Sequence, residues 1–277
     1  MRLSAILFFA VFLLSSSVSL GQKNDFCEQM MRSTFKIQGP ASAGSVFVMG
    51  KPVADKPDRA YYVIITAAHV LEEISTDIAT LSLRIKDENG YQRIFHQIKI
   101  RNAGVPLWTK HPKLDVVAMY QPMPEKVDIP LIPITLIATD EMLDEIEIQP
   151  GDEVFVAGFP LGAESSTTGF PILRSAKIAN YPITPMASNP VFLLDFDVFP
   201  GNSGGPVFMN SQNRFYKGAT NIGISRMVLG IISLELRNTE QIKTMTETTM
   251  KHHKLSIAVA VHAKFVRELI ESLPDPQ

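Results

Sequence analysis

The sequence predicts an all-β protein of two β-barrels followed by a short C-terminal helix. Segments in which apolar and polar residues alternate fill both halves of the 277-residue chain, and this period of two is the pattern of half-buried strands. A proline-rich stretch, residues 124–133, separates the halves and is typical of a crossover between domains. Residues 263–273 instead carry apolar residues at helical spacing, which predicts the closing helix.

The first half begins with a polar leader, residues 22–32, which has room for one helical turn. Strands are then predicted at residues 34–37, 44–49, 61–65, 81–85, 95–100 and 116–120. The triplet Glu88-Asn89-Gly90 predicts a hairpin turn between two of them. We therefore expect an N-terminal barrel over residues 33–135.

The second half repeats this strand pattern over residues 136–277, after a short helix predicted at residues 140–147. Strands are predicted at residues 152–162, 173–178, 191–197, 207–209, 227–236 and 255–261. The polar, threonine-rich residues 237–253 predict a mobile loop. We expect a C-terminal barrel that ends in the closing helix.

Charge and composition exclude several classes of function. The formal net charge of -2 leaves no basic surface for nucleic acid, and no glycine-rich phosphate loop is present. We expect no cofactor and no metal. Cys27 is the only cysteine, so no intrachain disulfide can form and the fold must depend on packing. Such cysteine usage favours a bacterial periplasmic or extracellular protein over a secreted animal one.

The N-terminus has the pattern of a secretory signal peptide. Arg2 is followed by an apolar run over residues 5–14 and by small residues up to Gly21, where cleavage is expected. The run is too short for a membrane-spanning helix, although an uncleaved anchor remains an alternative. We expect a protein that is secreted or periplasmic, with no stable membrane association after cleavage.

A glycine-rich stretch, residues 199–207, contains Ser203 between small residues. Such a backbone can turn sharply and let another molecule approach closely. The N–H groups of Gly201 and Ser203 are placed to converge on one point, as an oxyanion hole requires. A glycine turn with an incidental serine is the alternative at this point.

His69 and Asp115 are the other two residues of interest. His69 follows an apolar strand and two alanines, where a histidine is either a buried structural group or a general base. Asp115 opens an apolar strand, where a carboxylate is costly unless a partner satisfies it. A surface aspartate that caps the strand is the alternative. His111 is expected in the loop before it.

Three segments together resemble the signature segments of trypsin-like serine peptidases, in order and in approximate spacing. They are Thr66-Ala67-Ala68-His69, Leu114-Asp115-Val116-Val117-Ala118 and Gly201-Asn202-Ser203-Gly204-Gly205-Pro206-Val207. Residues 156–162 are similar to the bacterial branch related to the high-temperature-requirement proteases. The resemblance spans residues 33–270 and implies two six-stranded antiparallel barrels, a chymotrypsin-like double barrel.

The resemblance implies acyl transfer by a Ser-His-Asp triad. Ser203 would attack a peptide carbonyl, His69 would accept its proton, and Asp115 would orient the imidazole. The N–H groups of Gly201 and Ser203 would stabilise the oxyanion. The chain is thus expected to be an endopeptidase that takes a peptide or protein substrate.

The residues that would set the substrate preference give conflicting indications. The resemblance places Asp197 at the base of the primary specificity pocket, where an acid favours Lys or Arg. The favoured alternative is that Asp195 or Asp197 is a strand-end residue that holds the loop. Ser233, Leu234 and Glu235 resemble the segment that pairs with the substrate backbone. Glu235 replaces a small glycine and would narrow the pocket. Asn202 stands where animal digestive members have an acid, so activation by an ion pair there is not expected.

Two other functions compete with the peptidase. The first is a catalytically inactive trypsin-like module that binds peptides. The second is an esterase, because residues 201–205 also satisfy the G-x-S-x-G pattern of the α/β-hydrolase nucleophile elbow. That elbow needs a helix after the serine, whereas Gly204-Gly205-Pro206 favours a strand. The sequence leaves the oligomeric state open.

Overall fold

The structure is a computed structural model, which describes residues 25–53, 56–243 and 248–274. The predicted signal peptide, residues 1–21, lies outside the described residues. Most of the described chain is strand, with short helices at its start and end. The strands fall into two groups, one over residues 34–133 and one over residues 153–262.

The first group forms an eight-stranded sheet that carries one face of the site described below. Seven strands pair in the order β5-β4-β1-β2-β3-β9-β8, and β10 pairs with β2 in parallel. A separate two-stranded sheet joins β6 and β7. Their bounds are β1 Thr34–Gln38, β2 Ala43–Val53, β3 Lys56–Thr66, β4 Ile78–Asp87, β5 Gly90–Lys99, β6 Arg101–Asn102, β7 Val105–Pro106, β8 Thr109–Lys110, β9 Val117–Tyr120 and β10 Ile132–Pro133.

The second group closes into a six-stranded antiparallel barrel. Its strands pair in the ring β11-β12-β13-β16-β15-β14. Their bounds are β11 Glu153–Gly158, β12 Ile172–Ile178, β13 Val191–Asp195, β14 Pro206–Tyr216, β15 Ala219–Lys243 and β16 Thr248–His262. Glycine at position 230 allows β15 and β16 to pair closely in the barrel, because a side chain there would collide with the Val261 backbone on β16.

The prediction of a mostly β protein with a short C-terminal helix is confirmed, and one barrel is closed. The prediction of a second closed six-stranded barrel is not confirmed for the N-terminal half, where eight strands form a sheet that does not close. The reason lies at the edges, since β5 has ten residues and β8 has two. A two-residue strand offers too few backbone groups to pair with the other edge along its length.

The predicted loop at residues 237–253 is also corrected. Residues 237–243 continue β15, residues 248–253 begin β16, and the two pair in antiparallel register from Arg237 opposite Lys254 to Lys243 opposite Thr248. Threonine has a high strand preference, so a polar, threonine-rich sequence is compatible with a hairpin that extends beyond the core.

In the described part of the chain, four helices border the sheets, and two 3₁₀ turns lie at Ile134–Leu136 and Pro160–Gly162. The helices are α1 Phe26–Arg32, α2 Ala68–Glu72, α3 Asp140–Glu145 and α4 Ala263–Ser272. Asp25 caps α1 by accepting the Cys27 N–H at 3.0 Å. Phe26 and Met30 of α1 are buried, and the Phe26 ring meets the edge of Phe208 at 5.6 Å.

A continuous apolar core joins the two sheets through α1 and α4. It contains buried residues of the N-terminal sheet, such as Phe47 and Ile65, together with barrel residues such as Phe208 and Ile231. The leader helix is therefore packed into the core. Within the described ranges, no helix is long and apolar enough to cross a membrane.

Candidate active site

His69 lies on α2, directly after the buried strand β3. Ala67 and Ala68 are fully buried, and these small residues allow the helix to begin against the sheet. The backbone of Ala67 is extended and its carbonyl accepts from Val70 N–H at 3.1 Å, which closes the first turn. The imidazole of His69 is left one-third exposed at the surface of a cavity.

Asp115 lies in a bend two residues before β9. The His111 ring builds this bend, because its Nδ1 accepts the backbone N–H groups of Lys113 at 3.3 Å and Leu114 at 3.1 Å. The backbone N–H of His111 donates to the Val116 carbonyl at 3.0 Å. No feature of the sequence assigned this role to His111, which was expected only to lie in a loop.

His69 and Asp115 form a closely bonded pair. Asp115 Oδ2 lies 2.7 Å from His69 Nδ1, and Oδ1 accepts the backbone N–H of His69 at 3.0 Å. The hydrogen bond to Asp115 raises the pKa of His69 above its usual value, with partial burial acting in the opposite direction. Burial also acts to raise the pKa of Asp115, but the hydrogen bonds from His69 and Ser233 outweigh it and leave that pKa lowered.

Ser233 gives Asp115 its third donor. The Ser233 hydroxyl is buried and donates to Asp115 Oδ2 at 2.6 Å. The sequence associated Ser233 with substrate pairing and missed this contact, because 118 residues separate the two side chains along the chain. The pair of bonds at Oδ2 fixes the carboxylate and, through it, the imidazole.

Ser203 lies in a tight turn between β13 and β14, where two glycines are required. Gly201 has φ +97° and Gly204 has φ +82°, conformations that residues with side chains rarely adopt. A Cβ at Gly204 would collide with the Ser45 carbonyl and with Thr66 Oγ1. The turn is thus pressed against β2 and β3 of the other sheet.

Ser45 on β2 fastens this turn at two points. Its backbone N–H donates to the Ser203 carbonyl at 2.9 Å, and its hydroxyl donates to the Gly201 carbonyl at 2.7 Å. The same hydroxyl accepts the Phe159 N–H at 3.2 Å. The sequence also missed Ser45, since all of its partners are distant along the chain.

The N–H groups of Gly201 and Ser203 have no acceptor among the residues that the structure describes. Both carbonyls of these residues are bonded to Ser45, and these bonds hold the turn that carries the two N–H groups. Such donors can bind a developing oxyanion. This is the arrangement that an acyl-transfer site needs.

The Ser203 hydroxyl donates to the Ser233 carbonyl at 3.2 Å. Within the described part of the chain, that carbonyl and not the His69 ring is its acceptor. Hydrogen bonds between a nucleophile and its base are often long or poorly aligned without substrate, so this contact does not exclude His69 as the base.

His69 and Ser203 line one open cavity of about 530 Å³. Gly201, Ser233, Leu234 and Glu235 also line it, so all but two of the predicted site residues border the same space. The remaining wall is largely apolar and is formed by Ala43, Val70, Val198, Phe199 and Pro200, with Glu73 at the rim. Asp115 lies behind His69.

Asp197 is the predicted residue that the structure does not bring to the cavity. It is exposed, and its backbone carbonyl accepts from the Arg174 guanidinium at 2.7 Å. Glu235 does line the cavity, and its carboxylate lies 3.9 Å from Lys254 Nζ. The geometry at Asp197 is that of a loop residue held through its backbone.

The nucleophile elbow of an α/β-hydrolase is contradicted at this turn. Pro206 starts strand β14, which pairs with β11 and β15, whereas the elbow requires a helix after the serine. Among the described residues, no group of three or more His, Cys, Asp or Glu side chains is placed to hold a metal ion.

Comparison with known families assigns the chain to a class. The model of the trypsin-like peptidase domain matches residues 44–216, which is more than half of the chain. The chain therefore belongs to the trypsin-like peptidase family, and the resemblance to trypsin-like serine peptidases is confirmed. The domain match supports a hydrolase that acts on a peptide or protein substrate. The narrower likeness to the high-temperature-requirement branch stays a prediction.

Two similar solved structures are of the protease Rv3671c. The chain is 16% identical to a serine-to-alanine mutant of Rv3671c from M. tuberculosis H37Rv in an inactive form, with 92% of this chain and 94% of that chain covered and a TM-score of 0.46. For a second structure of the inactive protease the identity is 16%, the coverage 90% and 92%, and the TM-score 0.44. No curated protein sequence matches the chain significantly. The family assignment rests on the domain match.

Proposed function

We propose that this protein is a secreted serine endopeptidase that cleaves peptide bonds through an acyl-enzyme. One observation carries the proposal: His69, bonded to Asp115 behind it, lines the same cavity as Ser203, beside two N–H groups that have no acceptor within the described ranges. A nucleophile, a base with its orienting group, and an oxyanion site are the components of acyl transfer.

The pair sets the proton-transfer role of His69. Because Nδ1 is bonded to Asp115, the imidazole keeps its proton there and offers Nε2 as the base. His69 would take the Ser203 proton as Oγ attacks the substrate carbonyl and later return it to the leaving amine. Asp115, held by His69 and Ser233, would stabilise the imidazolium that forms.

The Gly201 and Ser203 N–H groups would bind the oxyanion of each tetrahedral intermediate. Removing one such donor lowers kcat by about 10²–10³ in related chemistry. Collapse of the first intermediate would leave an ester on Ser203, and water would attack it with His69 again as base. His69 returns each proton that it accepts, so this cycle needs no cofactor.

The inactive peptide-binding module remains the second candidate, because the Ser203 hydroxyl donates to a backbone carbonyl.

We further infer that the eight-stranded sheet takes the place of the first barrel of a chymotrypsin-like fold, with residues 33–135 and 136–277 as its two domains. The signal pattern at residues 1–21 supports export to the periplasm or beyond.

Cleavage of a mixed peptide library by the mature protein tests the proposal. Wild type should cut internal peptide bonds, and Ser203→Ala should not. Ser188→Ala is the matched control, because this serine is exposed and does not line the cavity. A folded wild-type protein that binds library peptides without cutting them would favour the inactive module.

A further inference from the structure

A loop of the C-terminal barrel, residues 159–171, lies between the Ser203 turn and the N-terminal sheet. We call it the bridging loop; it connects β11 to β12. At its start, the Leu161 N–H donates to the Pro200 carbonyl at 2.6 Å. Leu161 has φ +54°, a strained conformation for a residue with a side chain, and its side chain is 71% exposed. Side-chain burial therefore does not explain this strain, and the residue in this conformation is the one whose N–H reaches Pro200.

The Pro200 carbonyl and the Gly201 N–H belong to the same peptide group. In a planar trans peptide these two groups point in opposite directions, so an acceptor bond at the carbonyl also sets where the N–H points. A second contact acts in the same place: Gly201 lies against the Phe159 carbonyl so closely that a Cβ would not fit. The bridging loop thus fixes the orientation of one of the two donors in the oxyanion site.

Glu164 attaches the bridging loop to the N-terminal sheet. Its carboxylate forms ion pairs with Lys36 on β1 and, at 2.6 Å, with Arg93 on β5. Lys36 Nζ also donates to the Gly162 carbonyl at 3.3 Å, one residue after Leu161. The side chains of Glu164 and Lys36 are only 11% and 13% exposed, so water screens this ion pair less than a surface pair.

Arg84 holds the far end of the loop independently. Its guanidinium donates to the Gly169 carbonyl at 2.6 Å and lies between the rings of Phe35 and Phe170, at 4.3 and 4.4 Å from their centroids.

Asn202, the neighbour of Ser203, is buried, and its Nδ2 has no acceptor among the described residues. An amide carries no charge, so the side chain next to Ser203 does not anchor the turn by an ion pair.

We propose that Glu164 is a positioning residue: by holding the bridging loop against the N-terminal sheet, it keeps the Gly201 N–H aimed into the oxyanion site. This inference rests on the peptidase function proposed above. Glu164 does not line the cavity and would not touch substrate. Its removal should therefore weaken binding of the transition state and leave binding of the substrate nearly unchanged.

The test is steady-state cleavage of one peptide by wild type and Glu164→Gln. We expect kcat to fall about ten-fold or more, part of the loss seen when one oxyanion donor is removed, with KM within about two-fold. The inhibition constant of a peptidyl boronic acid, which places an oxyanion in the site, should rise by the same factor. Glu28→Gln is the matched control, since it removes an exposed ion pair with Arg32 at 3.3 Å.

Unchanged kcat in folded Glu164→Gln would overturn the positioning role, and so would a fall in kcat without weaker inhibitor binding. Should Glu164→Gln fail to fold, Arg93→Gln decides by the same two measurements, because Arg93 is more exposed and its loss is milder. Wild type that cleaves no peptide would overturn the proposed function as well. Wild type that cleaves, with an unaffected variant, overturns the positioning role alone.

Discussion

His262 gives the protein an acid-sensitive point in its core. It ends β16 and precedes α4, it is almost fully buried, and its ring lies 4.6 Å from that of Phe192. Neither ring nitrogen has a hydrogen-bond partner of good geometry among the described residues. Burial lowers the pKa of His262 to about 4, and a backbone contact at Ile183 opposes this only weakly. The positive end of the α4 dipole also disfavours an imidazolium there.

The folded protein therefore prefers the neutral ring, and the pH dependence has a definite sign. Above the ordinary histidine value of 6.5 both states are neutral and the stability is fully present. As the pH falls from 6.5 toward about 4, the unfolded state binds a proton that the folded state does not. A difference of about two and a half pH units corresponds to about 3 kcal/mol of lost stability by pH 4.

Urea unfolding of wild type and His262→Phe, followed by far-ultraviolet circular dichroism from pH 7.5 to pH 4, measures this loss. The carboxylates titrate in both proteins, so they cancel in the difference between the two free energies of unfolding. We expect that difference to move by about 3 kcal/mol in favour of the variant as the pH falls. A difference that stays constant over this range would refute the assignment of the acid sensitivity to His262.

Four further predictions concern the site and the core. Asp115→Asn should lower kcat by about 10⁴, because an amide cannot hold the required imidazole tautomer. Wild-type kcat/KM should fall in acid as the pH drops through the raised pKa of His69. Stopped-flow or steady-state kinetics over a range of pH measure both effects. Phe26→Ala should cost about 3–5 kcal/mol in urea unfolding, because the ring is buried between α1 and the barrel; a loss below about 1 kcal/mol would show that the leader helix is not part of the core. Peptides with an aliphatic residue before the scissile bond should be cut faster than peptides with Arg there, because the cavity wall is largely apolar and Asp197 lies outside it; a preference for Arg would restore Asp197 as a specificity residue.

Local patterns in the sequence predicted the strands, the closing helix and the small-residue segments around His69 and Ser203. These features depend on neighbours within a few residues, as with the apolar phase of β3 or the glycines at 201 and 204. The strand that begins at Pro206 was predicted for the same reason, because a proline and two glycines disfavour a helix whatever the rest of the chain does.

The contacts that complete the site could not be predicted in the same way. Ser45 reaches Gly201 across 156 residues, and Ser233 reaches Asp115 across 118. A hydroxyl carries no local pattern that names such a distant partner. The open N-terminal sheet was missed for a similar reason, since closure depends on how two edge strands meet and not on the alternation within either strand.

The central claim is that Ser203 is a nucleophile activated by His69. Treating the folded mature protein with a fluorophosphonate and locating the adduct by peptide mass spectrometry tests it most directly. We expect one adduct, on Ser203, that is lost in Ser203→Ala, formed far more slowly in His69→Ala and unchanged in Ser188→Ala. Folded wild-type protein without an adduct on Ser203, or with labelling that does not depend on His69, would contradict it.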